Sequence, residues 1–144
     1  MIYFDAAYIA KCYLNEAGAD RVRTLARETP GLASSELARL EFVCTIHRHT
    51  REEHLSAREA RQVLAEFRAD EEADVWTWLP VTSALIRKAS DEASGLPPRA
   101  FLRAVDVLHL VTARDHGFRE VYTNDRHMLA SARLFGVSGV NLLA

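Results

Sequence analysis

The chain has 144 residues, 49% of them hydrophobic and 26% charged, with a formal net charge of −2, which fits one compact domain with a real core and excludes a disordered polymer. No stretch approaches the roughly 18 uninterrupted apolar residues of a membrane span, and the opening MIYFDAA lacks the basic start and long apolar run of a secretory signal, so a cytoplasmic location without membrane contact is expected. The charge balance raises no global basic field for nucleic acid, and Cys12 and Cys44 have neither zinc-ligand nor C-x-x-C spacing, so reduced thiols are expected.

Ile2 to Asp5 (IYFD) reads as a short buried strand ending on an acid, with a helix from Ala6 to about Leu14 behind it. In open α/β sheets ligands bind beyond the carboxyl ends of strands, which gives Asp5 a functional reading; its structural reading is an N-cap. Ala19 to about Glu28 is an amphipathic helix with Val22, Leu25 and Ala26 inward. The Pro30-Gly31 turn leads through Leu32-Ala33 to Ser34 or Ser35, either of which can cap a helix from Glu36 to about His49. That helix places Leu37, Leu40, Glu41 and Cys44 on one stripe, so Glu41 is an acid in apolar company. Glu36 lies in the first turn, where the helix dipole favours negative charge. His47 and His49, two positions apart, do not face each other and read as surface residues.

Ser56 and Glu59 form a capping box for a helix running to about Glu72, with Ala60, Val63, Leu64 and Phe67 inward. Val75 to Val81 (VWTWLPV) is strand-like, and Pro80 marks it as an edge strand or a strand end. A helix from Ala84 to about Ala93 follows Thr82 or Ser83, and Gly95 with Pro97-Pro98 breaks the chain. Leu102 to Ala113 (LRAVDVLHLVTA) then reads as a helix apolar on most sides, with Phe101 extending its apolar surface and Asp106 in its middle. A helix of that kind is expected to be buried, and a buried carboxylate needs a cation or several donors. No Lys or Arg shares the stripe of Leu102, Val105, Asp106, His109 and Leu110. His116-Gly117 stops the helix, Glu120 to Thr123 is a strand, Asp125 is either a site acid or an N-cap for a helix from His127 to Phe135, and Val140 to Leu143 is a last strand.

Strands alternating with helices in this order specify a single-domain α/β fold, a three-layer α/β/α arrangement with a mainly parallel central sheet. Asp5 and Asp125 lie at strand carboxyl ends, and Glu41 and Asp106 lie on apolar helices able to pack over the same edge. Two carboxylates about 4 Å apart repel by roughly 4 kcal/mol at an effective dielectric near 20, so four gathered acids without matching bases call for divalent cations. Hard oxygen ligands with no thiolates favour Mg2+ or Mn2+ over zinc.

Read as MIYFDAAYIAKCYL, SSELARLE, LRAVDVLHLVTA and VYTND, the chain resembles a PIN-domain protein, of the VapC-type toxin ribonucleases in particular, over nearly its whole length. The resemblance implies a PIN-like domain spanning residues 1–144, with the family's acids carried by Asp5, Glu41, Asp106 and Asp125. It implies metal-assisted hydrolysis of RNA phosphodiesters. Asp5, Asp106 and Asp125 ligate Mg2+, with Mn2+ as a substitute, and Glu41 is a further ligand or orients the attacking water. Thr123 supports a ligating carboxylate, His109 packs behind the acids or supports one of them without being a ligand, and Lys11, Arg39, Arg103 and Arg126 flank the motifs as candidates for RNA phosphates. It further implies a small cognate antitoxin as partner and a homodimer. One departure is plain: Ala6 and Ala7 stand where many relatives carry a hydroxyl after the first Asp.

Other acidic α/β sites fit less well. A receiver-type phosphoacceptor needs paired acids after the first strand and a late Lys, and a DxDxT phosphatase is excluded by Asp5-Ala6-Ala7-Tyr8. The alternative that stands is a PIN-like module that binds RNA or protein without cutting.

Overall fold

A computed structural model describes the whole chain, Met1–Ala144. Five strands form one sheet: β1 (Ile2–Phe4), β2 (Leu32–Ser35), β3 (Trp76–Leu79), β4 (Glu120–Tyr122) and β5 (Ser138–Val140). Every pair is parallel and the order is β3-β2-β1-β4-β5, so β3 is an edge strand, and it ends just before Pro80. Seven helices cover it: α1 (Ala6–Tyr13), α2 (Ala19–Glu28), α3 (Leu37–Arg51), α4 (Ala57–Glu72), α5 (Ser83–Ser94), α6 (Ala104–Asp115) and α7 (Arg126–Ser131), the last continued by a 3-10 turn, Ala132–Phe135.

The alternation of β1 assigns the layers. Tyr3 points into a cluster with Leu85 and Ala89 of α5, Val107 to Ala113 of α6, and Met128, Ala132 and Phe135. Phe4 points into the other cluster, with Tyr8 and Ile9 of α1, Val22 of α2, Phe42 and Ile46 of α3 and Phe67 of α4. Successive strand residues face opposite sides, so a strand of three residues nucleates both cores and the α/β/α layering follows. The β1-β4 seam is where the chain order reverses, with β2 and β3 on one side and β5 on the other. That is the topological switch point at which such sheets bind ligands.

Several expectations change, the last strand among them: it runs Ser138–Val140 and not Val140 to Leu143. Asp106 is not in mid-helix: α6 begins at Ala104, with Arg103 as its N-cap, which puts Asp106 in the first turn. Leu102 and Phe101 continue the apolar pattern across backbone that is not helical, and Phe101 is exposed instead of covering a helix side. On α3 the buried stripe is Ala38, Phe42 and Ile46. Phe42 packs on Phe67 at 4.4 Å and Tyr13 at 5.3 Å between ring centres, which rotates Leu40 and Cys44 to the surface and leaves Glu41 on the border. Ser34 and Ser35 belong to β2: Ser34 Oγ donates to the Phe4 carbonyl, and Ser35 Oγ accepts the Leu37 N–H.

The Ser56–Glu59 capping box forms as expected, as does the α6 stop, where Gly117 takes φ +83°. Inside α6 the hydroxyl of Thr112 is buried without a hydrogen-bond partner. Thr112→Val keeps the shape and removes an unpaid desolvation cost, so we expect the variant to be more stable by about 1 kcal/mol in urea unfolding.

Candidate active site

Three of the four sequence-predicted acids sit at helix starts, where free backbone N–H groups are available. Asp5 follows β1 as the N-cap of α1, and one of its oxygens accepts the Tyr8 N–H at 2.9 Å. Asp125 follows β4 as the N-cap of α7, accepting from the His127 and Met128 N–H groups at 2.7 and 3.1 Å. Asp106 turns back to the Arg103 N–H at 3.0 Å. The structural and functional readings of these acids are therefore not rivals. The backbone N–H groups take one oxygen of each acid, Oδ1 of Asp5 and Asp125 and Oδ2 of Asp106, and the backbone makes no claim on the other.

Glu41 is held differently. Ser35 N–H donates to Tyr3 Oη at 3.1 Å, Tyr3 Oη lies 2.7 Å from His109 Nδ1, and His109 Nε2 lies 2.7 Å from Glu41 Oε2, a chain in which the neutral Nε2–H tautomer accepts from Tyr3 and donates to the carboxylate. Burial pushes the Tyr3 hydroxyl far above its ordinary range, which keeps it a donor. Of the two sequence readings of His109, packing or support, the structure gives support: the ring orients Glu41 through a buried chain that starts in the β2 backbone.

Asp5, Glu41, Asp106 and Asp125 all line one pocket of about 330 Å³, together with Ala6, Ala7, Glu16, Thr45, Arg48, Arg103 and His109. Five carboxylates face two guanidiniums there. Sequence reading missed one feature of this balance: Arg103 bridges two of the acids, with Nε 3.2 Å from Asp106 and Nη2 3.3 Å from both Asp106 and Asp125. Its side chain is 68% exposed, so the pairs are weakly held. Arg48 and Glu16 were missed as well. Glu41, Thr45 and Arg48 share a helix face by their spacing of four and three, which was the available signal for Arg48.

The other basic candidates are placed elsewhere. Lys11 is buried and donates to Glu16 and the Ala17 carbonyl, and Arg39 pairs with Glu71 at 2.6 Å beside the Trp78 ring. Neither lines the pocket. Arg126 is exposed next to Asp125. Thr123 is fully buried behind the acids; its hydroxyl accepts the Asp125 N–H at 3.0 Å and lies close enough to Asp5 to help hold that carboxyl down.

Asp5 is the electrostatically exposed member. Burial pushes its carboxyl up to about 6, and the Thr123 hydroxyl, His109 and the Tyr8 N–H only partly hold it down. No Lys or Arg pairs with it among the ion pairs of the structure. A buried carboxylate short of positive charge, among hard oxygen donors, fits a divalent cation, although no three side chains are close enough in this structure to form a ready ligand set.

A profile described as the PIN domain matches residues 2–134. Among solved structures, VapC20 of Mycobacterium tuberculosis, described as a sarcin-ricin loop cleaving toxin, is similar with a TM-score of 0.71 and 19% identity, over 91% of this chain and 95% of that one. No curated protein matches the chain.

The Asp5 carboxyl titrates near 6 when folded against 3.8 for the free side chain, so the folded state binds this proton more tightly. The charged form therefore costs stability above pH 6, by about 3 kcal/mol, and the cost disappears as pH falls to about 4. In chelator, Asp5→Asn should be more stable than the parent chain by that order at pH 7.5, and the difference should vanish near pH 4; urea unfolding at both pH values checks this.

Proposed function

The chain belongs to the PIN domain family, and on that premise we propose that it is a Mg2+-dependent endoribonuclease hydrolysing RNA phosphodiester bonds, the toxin of a type II toxin–antitoxin pair. The observation that carries this reading is the meeting of Asp5, Glu41, Asp106 and Asp125 in one pocket at the switch point of the sheet. The fold shared with VapC20, a toxin that cleaves the sarcin-ricin loop, supports the RNA substrate.

Asp5, Asp106 and Asp125 would hold Mg2+ or Mn2+, with Glu41 as a further ligand or as the group that orients water. When bound, the cation supplies an acidified water near neutral pH and charge stabilisation for the departing oxygen. Glu41, fixed through one oxygen by His109, has its other oxygen for the proton of the attacking water. The water oxygen forms the new bond to phosphorus, the ester P–O bond breaks, and the departing oxygen takes a proton from solvent. Thr123 holds Asp5 and the Asp125 backbone in place. Arg103 and Arg126, at the pocket and beside it, meet RNA phosphates, with Arg48 on the facing wall.

A small antitoxin and a second copy of the chain are the partners this reading brings. Leu40 and Val43 on α3, exposed and apolar, are the surface a partner helix would cover. A module that binds RNA without cutting is the second reading. The observation in its favour is the Arg103 bridge, which already pairs two acids, and Ala6 and Ala7 add no hydroxyl to the pocket.

Loss of groups that merely orient metal ligands costs about 10- to 100-fold, so loss of a ligand should cost more. The purified chain should cut single-stranded RNA with Mg2+ or Mn2+, stop in chelator, and lose at least about 100-fold of its rate in Asp106→Asn. Binding of RNA without cleavage under every metal condition would establish the second reading.

A further inference from the structure

Phe101 is the most exposed of the large apolar side chains, at 62%, whereas Phe4, Phe42, Phe67 and Phe135 are buried. It stands on the non-helical approach to α6, two residues before Arg103. Its ring lies 4.3 Å from the ring of His127, centre to centre, with the planes inclined at 44°. His127 is partly exposed and belongs to the first turn of α7, where its N–H donates to Asp125 at 2.7 Å. Arg126 Nε lies 3.3 Å from the His127 ring nitrogen, and Arg103 Nη2 is 3.3 Å from Asp125. Two neighbouring aromatic rings, flanked by two guanidiniums, therefore stand just outside the acidic pocket, each two residues from one of its lining residues, Arg103 and Asp125.

Folding does not explain this arrangement. An exposed phenylalanine forfeits the burial that drives folding, and the only aromatic ring paired with it is the half-exposed His127. Aromatic faces interleaved with cations along a groove are the physical requirement for holding single-stranded nucleic acid, because every unpaired base offers a π-face and every nucleotide a phosphate. A base already in a duplex has both faces covered and cannot use such a pair of rings.

We propose that Phe101 and His127 are a stacking platform for one unpaired RNA base next to the phosphate presented to the acids, with Arg103 and Arg126 taking the adjacent phosphates. The proposal rests on the RNA-cleaving reading above and adds to it a subsite that holds one base beside the cut. The platform holds RNA; it takes no part in breaking the bond.

The test couples a protein change to a substrate change. Labelled single-stranded RNA 12-mers, each with one abasic nucleotide at a successive position, are titrated by fluorescence anisotropy in chelator against the parent chain, Phe101→Ala, Phe101→Leu and Phe101→Trp. Cleavage KM and kcat are read in parallel with Mg2+. One stacked base is worth roughly 5- to 100-fold in affinity by alanine substitution. We expect that loss in Phe101→Ala and Phe101→Leu, retention in Phe101→Trp, and a rise in KM with kcat little changed. One abasic position should weaken the parent chain and leave Phe101→Ala unaffected. Equal binding by the parent chain and Phe101→Ala, or a loss in Phe101→Ala with no abasic position coupled to it, overturns the platform. Coupling without cleavage overturns the nuclease reading and leaves the platform standing, whereas cleavage without coupling does the reverse. No RNA binding by the parent chain overturns both.

Discussion

Gathering carboxylates in one pocket is the constraint on which the rest of this structure depends, because each added charge raises the cost of the others. The chain meets it first with backbone. Asp5, Asp106 and Asp125 each accept N–H groups at the start of a helix, and the partial positive charge at helix starts favours an acid by a few tenths to about 2 kcal/mol. Three such starts converge only because α1 and α7 leave from the carboxyl ends of the neighbouring strands β1 and β4, while α6 begins where Arg103 can span Asp106 and Asp125. The parallel sheet is thus the device that aims helix termini, and with them the acids, at one place.

The same economy governs β1. Its alternation sends Tyr3 into one core and Phe4 into the other, and the next residue is Asp5. Tyr3 is also the middle of the chain of donors running from the Ser35 backbone through His109 to Glu41. A substitution in this strand would disturb packing, the Asp5 cap and the Glu41 orientation together, which ties the stability of the domain to its chemistry. The remaining imbalance falls on Asp5, buried with no Lys or Arg paired to it and pushed up to about 6. It is the point at which an added cation would be felt most strongly.

The fold was legible in the sequence because short apolar strands alternating with amphipathic helices admit few arrangements; Glu41 and Asp106 stood out as acids in apolar helices, whereas Asp5 and Asp125 read equally as helix caps at strand ends and were singled out by the order of the four motifs. Their surroundings were less so. Asp106 read as a mid-helix acid since Phe101 and Leu102 extend the periodicity beyond the helix; Arg103 is not a residue type that signals an N-cap, so the start of α6 left no mark. Glu41 was found for a partly wrong reason: the stripe through Leu40 and Cys44 is not the buried one, because the Phe42–Phe67 contact sets the rotation of α3. The fates of Lys11 and Arg39 depend on Glu16 and Glu71, partners 5 and 32 residues away, and long side chains choose such partners only in three dimensions.

We propose that these acids hold a divalent cation in place of the Arg103 bridge, and the most direct measurement is anomalous diffraction from crystals of the chain soaked in Mn2+. The account predicts a manganese peak among Asp5, Asp106 and Asp125, with the Arg103 side chain turned away from both aspartates. No peak there at saturating Mn2+, with Arg103 still bridging Asp106 and Asp125, would contradict it.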